Sequence, residues 1–175
     1  MIALTRRAAI AVAACGLLTT SLLATDDRAD SALADGKAEG TLTVNGKITK
    51  VAFAYARSVP GFFDKNTNDI LVIVSDVPLD ANALTDESVR AAMAKDGKLH
   101  AFEITIDASG TPVSTAWRHD GFIDPVPSGL SSDDVFTKKI LDGKLVDGNY
   151  KSASDEEFFG NTYSFDVAFR AIIAH

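Results

Sequence analysis

Residues 161–173 alternate between apolar and mostly polar side chains over their whole length, and this is the strongest structural signal in the chain. One face carries Tyr163, Phe165, Val167, Phe169, Ala171 and Ile173. Alternation over this length predicts a β-strand with one buried face and one solvent-facing side. Because a lone strand cannot cover its apolar face, the rest of the chain must supply partner strands and a second layer.

Residues 1–24 have the pattern of an export signal. A pair of arginines precedes an almost unbroken apolar run over residues 8–24, and an acidic stretch ends it. This pattern predicts a signal peptide that is cleaved after Ala24, or as late as Ala34, where small residues provide a second site. We therefore expect a secreted or periplasmic protein. The apolar run is short for a membrane span, so no stable span is expected after processing.

Cys15 is the only cysteine in the chain. Residues 12–15 resemble a lipobox, so a lipoprotein anchored through Cys15 is an alternative to a freely exported protein. Apolar residues continue beyond Cys15, however, which favours a cysteine within the apolar part of the signal. Its removal leaves the mature domain without a disulfide, a thiol nucleophile or a thiolate metal ligand.

The chain is acidic, with a net charge of −7 at pH 7. Loss of Arg6 and Arg7 with the signal reduces the 17 basic residues to 15 against 24 acidic residues, which leaves −9. A negative protein gains nothing electrostatically from meeting nucleic acid or an anionic membrane, so neither is expected as a partner.

The Asn45-Gly46 pair lies between two β-rich runs and predicts a hairpin, because both central residues of a type I′ turn need a positive φ. The register pairs Val44 with Lys47 and creates a shared apolar face. The residues on that face are Leu42, Val44, Val51, Phe53 and Tyr55. Further along, residues 69–77 are almost continuously apolar, which predicts a central strand covered on both sides.

Residues 85–95 predict the one helix, with Thr85 as its N-cap. Residues 98–107 and 113–119 alternate again and predict a second hairpin. A third hairpin is predicted over residues 135–152, although a helix over residues 132–142 is an alternative there.

Together these elements predict a mainly β fold, an antiparallel β-sandwich or a partly open barrel of about eight strands with one short helix. We expect a single domain over residues 40–175, which follows a flexible lead-in over residues 25–39.

Oxygen-bearing side chains follow one another closely over residues 64–69, an arrangement that suits calcium. The candidate ligands are Asp64, Asn66, Asn68 and Asp69. The loop lacks the glycine and the terminal glutamate of an EF-hand, so a polar turn held by local hydrogen bonds is the competing interpretation. We expect no cofactor, with calcium at this loop as the alternative.

Histidine and carboxylates cluster at one place in the sequence, where His119 and Asp120 are followed by Asp124. One interpretation is a His–Asp general base or a metal site with two or three ligands. The other is a strand end that runs into a polar loop. His100 lies on the corresponding face of its own predicted strand, and we expect it to approach His119 across the hairpin.

Four aromatic residues, Phe62, Phe63, Trp117 and Phe122, are candidates for a surface that binds a protein or a saccharide. Their alternative role is to fill the core at the rim of a sheet.

The functional prediction is an exported, non-catalytic binding module. It expects the loops over residues 60–68 and 120–132 to lie at one end of the fold and to contact the partner. No phosphate-binding loop, nucleophile elbow or HExxH helix is present in the sequence. The alternatives are a hydrolase that uses His119 with Asp120 or Asp124, and a calcium-stabilised structural domain.

Overall fold

The computed structural model describes residues 33–175, so the predicted signal peptide and Cys15 lie outside the described residues. That part of the chain contains ten strands and two short helices. In chain order they are β1 (Lys37–Val44), β2 (Lys47–Lys50), β3 (Phe53–Pro60), β4 (Asn68–Ser75), α1 (Ala81–Thr85), α2 (Glu87–Lys95), β5 (Ala101–Ile106), β6 (Pro112–Arg118), β7 (Val135–Leu141), β8 (Leu145–Lys151), β9 (Glu156–Phe158) and β10 (Asn161–Ala174). None of the described helices is long and apolar enough to cross a membrane.

The strands form one antiparallel sheet that curls into a half-barrel. The main order is β6-β5-β4-β3-β1-β10-β8-β7, while β2 pairs with β1 and β9 pairs with β10. A short parallel contact between β10 and β3 is the exception to antiparallel pairing within residues 33–175. The mainly β, antiparallel prediction is confirmed in its partly open barrel form.

The alternating stretch becomes β10, which lies between β1 and β8 inside the sheet. Its apolar face from Phe165 to Ile173 is buried in the inner core, as predicted. Aromatic rings from other strands pack on it: the Phe102 ring centroid lies 4.4 Å from that of Phe165, and the Tyr150 centroid lies 4.9 Å from it. Curling of the sheet therefore supplies much of the cover that a lone strand lacks.

The helices cover a second, smaller core on the outer face of the sheet. β4 contributes to both cores, because Val72 and Val74 face inward while Leu71 and Ile73 pack with Ala83 of α1. The predicted central strand, apolar on both sides, is therefore confirmed.

The Asn45-Gly46 hairpin has the predicted register, with Val44 opposite Lys47. The predicted shared face is wrong beyond Val51, because the chain leaves the sheet there before β3 begins at Phe53. This interruption reverses which side chains face inward. Ala54 and Ala56 enter the inner core, whereas Tyr55 packs beneath the helices on the outer face.

The predicted helix over residues 85–95 corresponds to α2, and a further short helix, α1, precedes it. Asp80 begins α1 by accepting a hydrogen bond from the Ala83 amide at 2.8 Å, and Asp86 begins α2 by accepting one from the Ser88 amide at 2.8 Å. Thr85 is the last residue of α1 and not an N-cap, so that prediction is wrong. The extended backbone of Asp86, with φ −109° and ψ 112°, separates the helices.

The structure also decides two boundaries, one at residues 135–141 and one at the start of the sheet. Residues 135–141 form β7 and pair with β8, which confirms the hairpin and excludes the helical alternative. β1 begins at Lys37, which lies opposite Arg170 of β10, so the end of the expected flexible lead-in is part of the sheet.

Candidate functional sites

His100 and His119 lie side by side, with ring centroids 4.5 Å apart. His100 directly precedes β5 and His119 directly follows β6, in a hairpin where Ala101 opposes Arg118. The predicted approach of the two histidines is therefore confirmed. Together with Asp120 they form the one set of three His, Cys, Asp or Glu side chains within residues 33–175 whose donor atoms all lie within 4.8 Å of one another.

His100 is held by carboxylates at both ring nitrogens. Its Nδ1 donates to Asp76 Oδ2 at 2.6 Å, and its backbone amide donates to Asp76 Oδ1 at 2.9 Å. Its Nε2 lies 2.9 Å from Asp120 Oδ1 and 3.3 Å from Lys47 Nζ. We call Lys47, Asp76, His100, His119 and Asp120 the histidine cluster.

His119 is buried and uncharged at neutral pH. Burial lowers its pKa to about 4, and the charge of His100 acts in the same direction. Its Nδ1 accepts a hydrogen bond from the Gly121 amide at 2.9 Å, and its Nε2 faces Thr49 Oγ1 at 3.2 Å. The Nδ1 atom is therefore unprotonated and Nε2 carries the proton, so His119 does not donate a hydrogen bond to the Asp120 carboxylate, which lies 3.6 Å from Nδ1.

Asp120 is a firmly ionised carboxylate at the edge of the cluster. A hydrogen bond from Lys47 Nζ at 2.6 Å, followed by one from His100, lowers the pKa of Asp120 to about 2. A cavity of about 350 Å³ beside it is also lined by His119, Phe122 and the exposed Asp124. The three residues of the hydrolase hypothesis thus border one cavity.

A buried asparagine fixes the loop that follows His119. Asn161 donates through Nδ2 to the Ile123 carbonyl at 2.7 Å and accepts through Oδ1 from the Ile123 amide at 2.8 Å. Its Oδ1 also accepts from Asn45 Nδ2 at 2.9 Å, and the same Asn45 side chain donates to the Gly121 carbonyl at 2.9 Å. The hairpin turn and β10 therefore position the loop that carries Asp120.

The four candidate aromatic residues do not form one surface. Phe62 and Phe63 are 50% and 82% exposed and contact each other edge to face, with ring centroids 5.0 Å apart. Trp117 is 3% exposed and belongs to the inner core. Phe122 is half-buried and packs on Trp117 with a ring-centroid distance of 5.4 Å. Trp117 and Phe122 therefore take the core role, and Phe62 and Phe63 remain accessible.

The two loops of the binding-module prediction do not begin at the same end of the sheet. Pro60 lies opposite Asn68 at one end, whereas Ser75 lies opposite Ala101 at the other. Arg118, from which the second loop starts, pairs with Ala101. The expected common end is therefore wrong, because the antiparallel register places the starts of these loops at opposite ends of β4.

The oxygen atoms of the 64–69 loop make hydrogen bonds within the loop and its neighbours. Asp64 Oδ1 accepts from the amide and the side chain of Asn66 at 2.9 and 3.0 Å. Asp69 is buried and accepts from the Phe62 amide at 2.7 Å, while Asn68 is exposed at the start of β4. The geometry is that of a polar turn held by Asx hydrogen bonds.

A larger cavity, which the sequence did not indicate, lies on the outer face of the sheet. Its volume is about 470 Å³, and it lies between β3, β4, α1 and the end of β10. Its apolar wall is formed mainly by Tyr55, Leu71, Ile73, Leu84 and Ile172. We call this space the outer cavity.

The side chain of Arg57 lines the outer cavity, and its Nε atom has no hydrogen-bond partner within residues 33–175. Arg57 Nε is buried, and no atom in the described part of the chain accepts a hydrogen bond from it. Asp35, at the same cavity, is already paired with Arg170 Nε at 2.7 Å. The outer cavity therefore combines an apolar wall with a donor that has no acceptor.

A pair of acidic side chains borders a third cavity of about 320 Å³. Burial, and then the hydrogen bond and charge of Glu156, raise the pKa of Asp134 to about 6. Tyr163 donates to Glu156 at 2.8 Å and Tyr150 to Asp134 at 3.3 Å. Asp134 therefore holds its proton more tightly than an ordinary aspartate does.

No protein-family model, curated protein sequence or solved structure matches this chain. The sites are therefore interpreted from their own geometry.

Proposed function

We propose that this is an exported β-protein that binds a small amphipathic organic acid, with the apolar part of the ligand in the outer cavity. The observation that carries this proposal is the buried Arg57 Nε in the wall of that cavity, which has no hydrogen-bond acceptor within residues 33–175. The volume of about 470 Å³ lies within the range of small-molecule sites, which are mostly apolar with a few polar groups.

The chemistry of the wall favours an acid over other ligands. Leu71, Ile73 and Leu84 present hydrocarbon, which favours an alkyl or aryl group through burial of apolar surface. A buried guanidinium nitrogen without an acceptor is costly, and a carboxylate that accepts from it removes that cost. A cationic amphiphile would place a second positive charge beside Arg57.

Export is part of the proposal and rests on the sequence of residues 1–24. A binding role in that location needs no catalytic group, which agrees with the predicted non-catalytic module. His119 Nδ1 accepts from the Gly121 amide and lies 3.6 Å from Asp120 Oδ1, so His119 does not donate to that carboxylate as the histidine of a His–Asp general base would, and the hydrolase alternative is not favoured.

Isothermal titration of the exported protein with octanoate, 1-octanol and octyltrimethylammonium tests the proposal. We expect one octanoate per chain, weaker binding of the alcohol and weakest binding of the cation. Equal binding of all three, or none of octanoate, would contradict it.

Two pairs of variants connect binding to the outer cavity. Ala81→Trp places a large ring in the cavity and should abolish octanoate binding, while Ala92→Trp on the exposed side of α2 should leave it unchanged. Arg57→Met should remove the preference for octanoate over 1-octanol, while Arg57→Lys should keep part of it. Octanoate binding that survives both Ala81→Trp and Arg57→Met would show that the ligand binds elsewhere.

A further inference from the structure

We propose that the histidine cluster binds one divalent first-row transition metal ion through His100, His119 and Asp120. The donor atoms are His100 Nε2, His119 Nδ1 and Asp120 Oδ1. Asp120 Oδ1 lies 2.9 Å from His100 Nε2 and 3.6 Å from His119 Nδ1. Neighbouring ligands of a tetrahedral zinc ion are about 3.3 Å apart, because each bond is about 2.0–2.1 Å. Small side-chain movements therefore suffice to bring these three atoms to one ion.

One of the two rings already presents a free lone pair for a metal ion, and the other is oriented toward the same point. His119 Nδ1 is unprotonated, since the Gly121 amide donates to it at 2.9 Å. His100 donates from Nδ1 to Asp76 Oδ2 at 2.6 Å and from Nε2 to Asp120 Oδ1 at 2.9 Å, so its Nε2 faces the cluster and must release its proton when an ion binds. A carboxylate that accepts from the far nitrogen of a histidine commonly orients a metal-bound imidazole. Asp76 therefore acts as a positioning residue for His100.

Lys47 places a positive charge where the ion would bind. Its Nζ lies 2.6 Å from Asp120 Oδ1 and 3.3 Å from His100 Nε2, two of the three proposed ligands. The Lys47 side chain is 48% exposed, so it is able to move into solvent without leaving the core open. We infer that the ammonium group and the metal ion compete for these two ligands.

Metal binding has to replace contacts that the histidine cluster already makes, and the ligand types limit which metals bind. An ion must displace the Lys47 ammonium group and take the Nδ1 lone pair of His119 from the Gly121 amide. Three protein ligands leave at least one coordination position for water or another small ligand. Two imidazoles and one carboxylate favour zinc, nickel, cobalt or iron over calcium, which prefers six or more oxygens.

Titration of the purified exported protein with Zn²⁺ at pH 7.5, followed by calorimetry and native mass spectrometry, tests the proposal. Lys47→Met is the decisive variant, because it removes the competing charge without removing a ligand. We expect one ion per chain and at least about tenfold tighter binding in Lys47→Met. A cluster with only a structural role would lose stability in this variant without gaining zinc affinity.

Further variants test which of the neighbouring carboxylates bind the ion. Asp120→Asn should abolish stoichiometric binding. Asp76→Asn should weaken it by about 10–100-fold, the usual effect of losing the carboxylate that orients a metal-bound histidine. Asp124→Asn changes a carboxylate of the same loop that lies outside the set and should leave binding unchanged. His175→Gln tests whether the ion is bound by His175 and not by the histidine cluster.

The result that would overturn the proposal is zinc binding that does not tighten in Lys47→Met and persists in Asp120→Asn. A loss of binding in His175→Gln alone would also overturn it, since the ion would then be held at the chain end. Thermal melting of each variant without metal confirms that it is folded. The histidine cluster shares no proposed ligand with the outer cavity, so either proposal can fail while the other stands.

Discussion

Arg90 and Glu103 form a buried, two-bond ion pair between α2 and β5. Arg90 Nε donates to Glu103 Oε1 at 2.8 Å and Arg90 Nη2 donates to Oε2 at 3.0 Å. Arg90 Nη1 also donates to the Ala83 carbonyl of α1 at 2.7 Å. One guanidinium group therefore fixes both helices to the sheet, and with them the helical wall of the outer cavity.

Arg90→Ala should lower the free energy of unfolding by less than the about 3–5 kcal/mol expected for a fully unpaired buried charge, because Arg118 Nε still lies 2.7 Å from Glu103 Oε1. Urea denaturation measures the change. Arg90→Lys is the matched control: it keeps the charge but loses the two-bond geometry, and we expect an intermediate loss. Near-native stability of Arg90→Ala would show that α1 and α2 are held by apolar packing alone.

Substitution of a buried aromatic candidate and of an exposed one should have very different effects on the free energy of unfolding. Trp117→Ala removes a buried ring that contacts Phe102 at a centroid distance of 4.8 Å, and it should cost about 3–5 kcal/mol. Phe63→Ala changes an 82% exposed side chain and should cost less than about 0.5 kcal/mol. Similar losses from both substitutions would contradict the assigned packing.

The buried His119 should make stability fall in mild acid. Its pKa is about 4 in the folded protein against a usual 6.5, so the unfolded chain takes up a proton that the folded protein does not. The contribution of His119 is complete above about pH 6.5 and is lost as the pH falls to about 4. We expect His119→Gln to reduce the loss of unfolding free energy between pH 7 and pH 4 by about 2 kcal/mol.

Asp134 should have the opposite effect on the pH dependence of the free energy of unfolding. The pKa of Asp134 is raised to about 6, so its contribution is complete below about pH 3.8 and is lost as the pH rises through 6. Asp134→Asn should therefore stabilise the protein at pH 7 by about 1 kcal/mol, after allowance for solvent screening. The gain should disappear near pH 4, and an equal gain at both values would mean that charge is not its cause.

Local patterns in the sequence identify much of the fold. The alternation in β10, the Asn45-Gly46 turn and the apolar run of β4 each depend on neighbouring residues, so each could be predicted. The reversal at Tyr55 could not, because it results from an interruption of the sheet at Val51 that leaves the residue pattern unchanged. The N-cap of α2 was predicted at Thr85 instead of Asp86, because both side chains have the same capping chemistry.

The candidate sites were predicted less completely, because they combine residues from distant parts of the chain. The approach of His100 to His119 followed from hairpin geometry, and Asp120 adjoins His119. Asp76 and Lys47 follow ordinary strands or turns and carry no local signal of their own. The outer cavity arises from the gap between a sheet and a short helix, which no residue pattern specifies.

The most direct measurement of the proposed function is a ¹H–¹⁵N spectrum of the protein during titration with octanoate. We predict saturable shifts of the amide signals of Tyr55, Leu71, Ile73 and Leu84, which line the outer cavity. Shifts of these amides should disappear in Ala81→Trp and persist in Ala92→Trp. Shifts that centre instead on Phe62 and Phe63, or spread over the surface without saturation, would contradict a ligand in the outer cavity.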